Sequence, residues 1–322
     1  MATTATTFRD EVAVRVHDLV RTYPHPEGGT FDAVAGISFE VRRGEVFALL
    51  GPNGAGKTTT LEILEGLGEP TTGRAEVLGY DVQRQREEVK RRIGVQLQAS
   101  SYFEHLTLRE ILVLFGSFYP TRRDPDDLLA LVGLTGKRQA LVGQLSGGQA
   151  QRFSIVAALV SDPEVVFLDE PTTGLDPQAR RTLWELIRRI NAEGRTVVLT
   201  THYLEEAETL ADRVAILDHG ELVALDTPAG HIAALGVGHR VRFRLARLVE
   251  AEQLAALPGV ADADVHANGE ATYDLRVTDP AHAVPALFAW ATHAGIDLAD
   301  VRVTTPTLED VFLARTGHHL RD

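Results

Sequence analysis

From Val12 the chain alternates, Val-Ala-Val-Arg-Val-His-Asp-Leu-Val, as a strand with one exposed face does. Residues 21–30 hold two prolines and two glycines and predict a turn. Residues 31–45 predict a further hairpin that leads into strands of another kind. Val46-Phe47-Ala48-Leu49-Leu50 is apolar throughout, as are Val165-Val166-Phe167-Leu168 and Val197-Val198-Leu199. Short apolar runs interleaved with helical patterns predict a parallel sheet covered on both faces, here with an antiparallel sheet beside it. Between about Thr107 and Val160 the period becomes helical. Leu108, Ile111, Leu112 and Phe115 share one face, and Leu128, Leu129, Leu131 and Val132 cluster on a second short helix.

The expected organisation is an α/β domain over residues 12–235, with a helical subdomain at about 99–160 inserted in it. After about residue 235 the pattern changes. Val241, Phe243 and Leu245 alternate; 248–257 reads as helix; Thr272, Asp274 and Arg276 alternate with apolar neighbours; 281–294 is helical; Val301 and Val303 mark a strand. That order predicts a small α+β domain over 236–322, ferredoxin-like in its sequence of elements. Residues 1–11 read as a loose tail, and no tandem repeat is present.

Composition narrows the chemistry. The net charge of −13, from 45 acidic and 32 basic residues, argues against binding driven by counterion release from nucleic acid. With no cysteine, disulfides, thiolate zinc sites and thiol catalysis are excluded. The opening residues lack the apolar core of a secretory signal. No apolar run approaches the roughly 18–20 residues that cross a bilayer. The expectation is a cytoplasmic chain whose membrane role, if any, runs through a partner.

Gly51-Pro52-Asn53-Gly54-Ala55-Gly56-Lys57-Thr58 completes the pattern G-x-x-x-x-G-K-[ST] between a buried strand and a helix carrying Leu61, Leu64 and Leu67. Glycines let successive amides turn inward around an anion, and the helix start adds positive potential. Lys57 is suited to the β- and γ-phosphates and Thr58 to Mg²⁺. Asp169 and Glu170 follow the second apolar run, at the strand end where parallel sheets hold ligands. Asp169 suits Mg²⁺, and Glu170 suits polarisation of an attacking water. His202, after the third run, falls on the same rim and suits the γ-phosphate.

Leu145-Ser146-Gly147-Gly148-Gln149 supplies a second anion site, with Ser146 as N-cap and bare amides at Gly147 and Gly148, on a helix carrying Phe153, Val156 and Val160. One nucleotide does not need two separate helix starts from one subunit. Two copies arranged head to tail, each closing on the other's phosphate loop, use both.

Together the phosphate loop, Leu-Ser-Gly-Gly-Gln, Val-Val-Phe-Leu-Asp-Glu-Pro, Gly-Leu-Asp-Pro and the histidine after the next strand resemble the nucleotide-binding subunit of ABC transporters, over roughly residues 12–230. The resemblance implies a P-loop NTPase with a RecA-like parallel core, an antiparallel β subdomain and the inserted helical subdomain. It implies ATP and Mg²⁺, hydrolysis by a homodimer, and a separate integral membrane permease, with the chain peripheral on the inner face of the membrane. Thr59 and Gln149 join the nucleotide-binding set. Tyr23 matches the aromatic that stacks on adenine, and Asp176 the loop that meets the other subunit. Gln98 matches the glutamine that touches Mg²⁺ and senses the partner, with Gln96 as the competing position.

The segment Pro306-Thr307-Leu308-Glu309-Asp310-Val311-Phe312-Leu313 is an amphipathic helix opened by a capping box. It resembles the daunorubicin-resistance type of bacterial exporter ATPase, many of which carry Ser-Gly-Gly-Met where this chain has Ser-Gly-Gly-Gln. The competing reading is a soluble ABC ATPase acting on nucleic acid or ribosomes. The acidic charge and the single nucleotide cassette weigh against it.

Overall fold

A computed structural model describes residues 12–25, 28–97, 102–236, 238–267 and 271–320. The chain divides into two compact units between Pro228 and Ala229.

In the first unit, β1 (Val12–Pro24) and β2 (Thr30–Arg42) pair antiparallel. The turn expected over 21–30 is shorter than its composition implies, since Thr22, Tyr23 and Pro24 pair with Asp32, Phe31 and Thr30. Pro24 is tolerated because it is the last residue of the strand, where no further ladder donor is needed. The hairpin expected within 31–45 is instead one long strand. Its irregularity is a bulge: Ala35 faces Val20 and Ile37 faces Leu19, leaving Gly36 as the extra residue.

β3 (Val46–Leu50) leads through the glycine-rich loop into α1 (Lys57–Leu64). β4 (Thr72–Val77) and β5 (Tyr80–Asp81) complete a first sheet of order β2-β1-β4-β5. After α2 (Arg86–Lys90) and β6 (Ile93–Gln96) come three helices, α3 (Leu108–Gly116), α4 (Pro125–Leu131) and α5 (Gly147–Ala158). Side chains of Thr107, Asp124 and Ser146 cap their first turns, so each start is written locally in the sequence. β7 (Val165–Asp169), α6 (Pro177–Ala192), β8 (Thr196–Thr201), α7 (Leu204–Leu210), β9 (Arg213–Asp218) and β10 (Glu221–Asp226) follow, and α8 (Pro228–Ala234) begins at the division.

The second sheet has the order β10-β9-β3-β8-β7-β6, with every pair parallel except β10 against β9. Its central strands β3, β7 and β8 are buried along their whole length, which is why they read as unbroken apolar runs. The antiparallel sheet packs on it through one core that joins Val14, Leu19, Phe39 and Val41 to Phe47, Leu49 and Phe167. Phe39 and Phe47 stack at 5.3 Å between centroids. No helix among the described residues is long and apolar enough to cross a membrane.

On β6, a Cβ at Gly94 would stand 2.1 Å from the Ala158 carbonyl oxygen and 2.9 Å from the Pro163 ring. Backbone cannot give way as a flexible side chain does. Gly94→Ala is therefore expected to destabilise this unit by about 1–3 kcal/mol, the usual cost of overpacking. Thermal unfolding reads this as a lower midpoint, and an unchanged midpoint would refute so close a contact.

The second unit runs β11 (His239–Leu245), α9 (Ala251–Ala255), β12 (Val260–Ala267), β13 (Ala271–Val277), α10 (Pro280–His293), β14 (Leu298–Thr304) and α11 (Leu308–Thr316). All strand pairs are antiparallel in the order β12-β13-β11-β14, the split βαβ arrangement of ferredoxin-like domains. Val241, Phe243, Leu245, Tyr273 and Leu275 meet Leu254 and Leu287 in its core. The helix expected over 248–257 is confined to α9. Tyr273 explains part of this: its hydroxyl donates to the Val249 carbonyl and accepts from the Val249 amide at 2.6 Å, which takes that backbone out of a helix ladder. α11 begins at the Thr307–Asp310 capping box.

Candidate functional site

The loop after β3 ends at Gly56, whose φ of +92° puts it in the left-handed region as N-cap of α1. A Cβ there would also lie 2.3 Å from the Ala33 carbonyl oxygen, so β2 runs tight against the loop and glycine answers both demands. The side chain of Lys57 is buried and curls back over the loop, its Nζ donating to Gly51 O at 2.7 Å and Pro52 O at 3.0 Å. The same Nζ is 3.5 Å from Glu170 Oε1. Burial pushes the ammonium below its usual range, against the pull of Glu170 and Asp169. Asn53 and Gly54 are exposed at the loop tip, and Thr59 is half-buried on α1.

At the end of β7, the Thr58 hydroxyl lies 3.2 Å from both Asp169 oxygens. Thr200, directly opposite Asp169 in the parallel register, donates its hydroxyl to Asp169 Oδ1 and accepts the Glu170 amide at 2.9 Å. Burial pushes Asp169 up, while the Thr200 and Thr58 hydroxyls and Lys57 hold it down. Glu170 sits at φ +45°, a region that costs a non-glycine residue about 1–3 kcal/mol. Its Oε2 accepts from Thr173 Oγ1 at 3.1 Å, and His202 Nδ1 lies 3.1 Å from Oε1. Burial raises the Glu170 carboxyl, but His202, Lys57 and Thr173 together outweigh it, and the net shift is downward. A carboxylate held ionised beside an imidazole and an ammonium is suited to accept a proton from water.

All-oxygen donors, one hydroxyl and one carboxylate at the rim of the phosphate loop, fit Mg²⁺, which prefers oxygen ligands and few protein contacts. Gln98 lies outside the described residues. Gln96, the competing position, is buried at the end of β6 with its Nε2 donating to Leu97 O at 2.7 Å.

The expected second anion site stands apart from this cluster. Ser146 and Gln149 form a reciprocal cap at the start of α5: Ser146 N donates to Gln149 Oε1 at 3.1 Å and Gln149 N to Ser146 Oγ at 3.4 Å. Lys137 Nζ also donates to that amide oxygen at 3.0 Å. Asp176 caps α6, accepting the Gln178 and Ala179 amides at 2.9 Å. A cavity of about 490 Å³ is lined by Ser146, Gly147, Gly148, Gln149 and Asp176 together, and by no residue of the phosphate loop. Tyr23 lies half-buried on β1 opposite Phe31, with the Arg21 guanidinium 4.5 Å from its ring centroid. Phe31 is two residues along β2 from Ala33, whose carbonyl oxygen abuts the loop at Gly56.

Sequence reasoning misses Thr200 and Thr173, because only register and turn geometry aim their hydroxyls at the carboxylates. It also misses Glu206, buried on α7 and accepting from Trp184 Nε1 at 3.0 Å, which ties α6 to the helix after His202.

A glycine-lined helix start after a buried parallel strand, with a Thr–Asp pair and a Lys–Glu–His cluster at the carboxyl ends of the central strands, defines a P-loop nucleoside triphosphatase. Comparison with known proteins sharpens this. A family model described as ABC transporter matches residues 34–173. The linearmycin resistance ATP-binding protein LnrL of Bacillus subtilis (strain 168) is 37% identical over 296 residues, covering 90% of this chain and 95% of that protein. The daunorubicin resistance ATP-binding protein DrrA2 of Streptomyces coeruleorubidus is 39% identical over 316 residues, covering 96% of each. Among solved structures, the dimeric post-hydrolysis state of the ATP-binding cassette MJ0796 bound to ADP and Pi superposes with a TM-score of 0.60 at 26% identity, over 66% of this chain and 98% of that one. The chain belongs to the ABC transporter family, as an ATP-binding and ATP-hydrolysing subunit.

Proposed function

We propose that two copies of this chain clasp ATP head to tail and drive export through a separate integral membrane permease. The observation that carries the dimer is the separation just described: the start of α5 shares its cavity with Asp176 and with nothing from the phosphate loop. Two anion-binding helix starts in different places serve one triphosphate when they come from different copies. The dimeric structure of the MJ0796 cassette supports the same reading.

In this arrangement the loop amides from Gly51 to Thr59 and Lys57 hold the phosphates, and Tyr23 offers its ring to the base. Ser146, Gly147 and Gly148 of the other copy close over the terminal phosphate, with Gln149 fixing that cap and Asp176 at the seam. Glu170 takes the proton of the attacking water, oriented by His202 and Thr173. The protein's task in phosphoryl transfer is positioning and charge neutralisation, and this cluster supplies both. Thr58 and Asp169 would hold Mg²⁺, which when bound neutralises phosphate charge; Gln98 is a further candidate ligand.

A second groove of about 490 Å³ opens beside β6, α3 and α5. Its lining includes Phe118, 71% exposed, and Leu67, 56% exposed. Apolar side chains this open, gathered in one concavity, mark an interaction surface. It supports docking of a cytoplasmic helix of the permease, which would hold the chain against the inner face of the membrane. Kinship to proteins named for linearmycin and daunorubicin resistance favours export over import.

The dimer has a direct test, because the chain has no cysteine of its own. Asn53→Cys in one copy and Ser146→Cys in another are expected to join through a short bismaleimide only when ATP is present. No joining with ATP would remove the head-to-tail arrangement, and equal joining without it would remove ATP as the cause of closure.

A further inference from the structure

The groove beside β6 is mostly apolar, and among its lining residues Glu65 is the one acid. At its floor lies Glu65, the C-cap residue of α1, only 2% exposed. Its Oε1 is buried and has no hydrogen-bond partner. A buried carboxyl oxygen left unmatched is costly, and folds seldom keep one without a use. Lys90 also lines the groove, yet it makes no ion pair with Glu65. Among the described residues, then, this chain offers that oxygen nothing.

We propose that Glu65 is the seat for a single cationic side chain, lysine or arginine, carried into the groove by the docking helix of the permease. This rests on the reading of the groove as the permease site. The apolar lining takes the helix's apolar face, and the lone acid fixes its register and selects its partner. Such division of labour is usual at interfaces, where apolar area gives adhesion and a few buried polar groups give specificity. Burial, reinforced by the charges of Asp169 and Glu62, pushes the Glu65 carboxyl up to about 8. Near neutrality it therefore waits uncharged in the free subunit and ionises against an arriving cation.

The test uses the full chain, tagged and co-expressed with its proposed permease subunit, and measures the membrane subunit recovered in detergent. Glu65→Leu and the isosteric Glu65→Gln are each expected to cut recovery about 10-fold or more, the scale set by truncating one partner of a buried charge pair. Neither variant should unfold below wild type, since each removes an unmatched buried acid. One lysine or arginine of the permease's cytoplasmic loops, changed to glutamine, should give the same loss and add nothing to Glu65→Leu. Wild-type recovery with both Glu65 variants, while Leu67→Asp abolishes it, would overturn the role of Glu65 and leave the groove reading standing. Full recovery with Leu67→Asp as well would overturn the groove reading itself. Independent, additive losses from Glu65 and every permease cation would also overturn the pairing.

Discussion

Glu170→Gln is expected to lower the ATPase rate by about 10²–10⁴-fold, the span general-base removal commonly costs, while ATP still binds. Glutamine keeps the shape and can still meet Thr173 and His202, which contact the carboxyl in the native chain. It can no longer take a proton. Removing the negative charge near the triphosphate also favours closure, so the variant should accumulate as an ATP-bound dimer. Single-turnover hydrolysis and size-exclusion chromatography with ATP measure the two effects. A rate within a few-fold of wild type would take Glu170 out of the proton transfer, whatever the dimer does.

Lys57→Ala is expected to fail one step earlier. Its ammonium is already turned into the loop, bonded to the Gly51 and Pro52 carbonyls. Hydrogen bonds to charged groups are worth about 1.5–3 kcal/mol each, so losing two phosphate contacts weakens ATP binding roughly 10²-fold or more. The change also strips Glu170 and Asp169 of their nearest buried cation, since both carboxylates interact with Lys57. A lower thermal midpoint should accompany the weaker binding. Titration calorimetry with ATP decides the matter, and wild-type affinity would contradict the phosphate cradle.

Much of this site was legible because its chemistry is written in contiguous residues. Val46–Leu50 announces a buried strand, and the glycines and Lys57 that follow can form only a few structures. The same holds for Val165–Asp169 with Glu170, and for Ser146 with its glycines. What lies across register was not legible. Thr200 serves the Asp169 carboxylate and the Glu170 backbone amide only because β8 aligns it with Asp169. Glu65, in Leu-Glu-Ile-Leu-Glu-Gly-Leu, reads as a solvated helix-end acid until the fold buries it.

The fold shows the same division. The continuous runs of the parallel core and the alternation of β11 and β13 are periodic, and periodicity survives into structure. β6 is four residues long and includes Gly94 and Gln96, so it carries almost no pattern of its own. The turn expected at 21–30 is shorter than its two prolines and two glycines imply, because Tyr23 pairs with Phe31, which no local signal reveals.

The left-handed backbone at Glu170 sets two selective demands against each other. Glycine would relax that residue and yield a sturdier, idle molecule. The native glutamate keeps the chain slightly sprung so that its acid group meets the reaction, and a screen for heat resistance alone would drift toward sequences that no longer work.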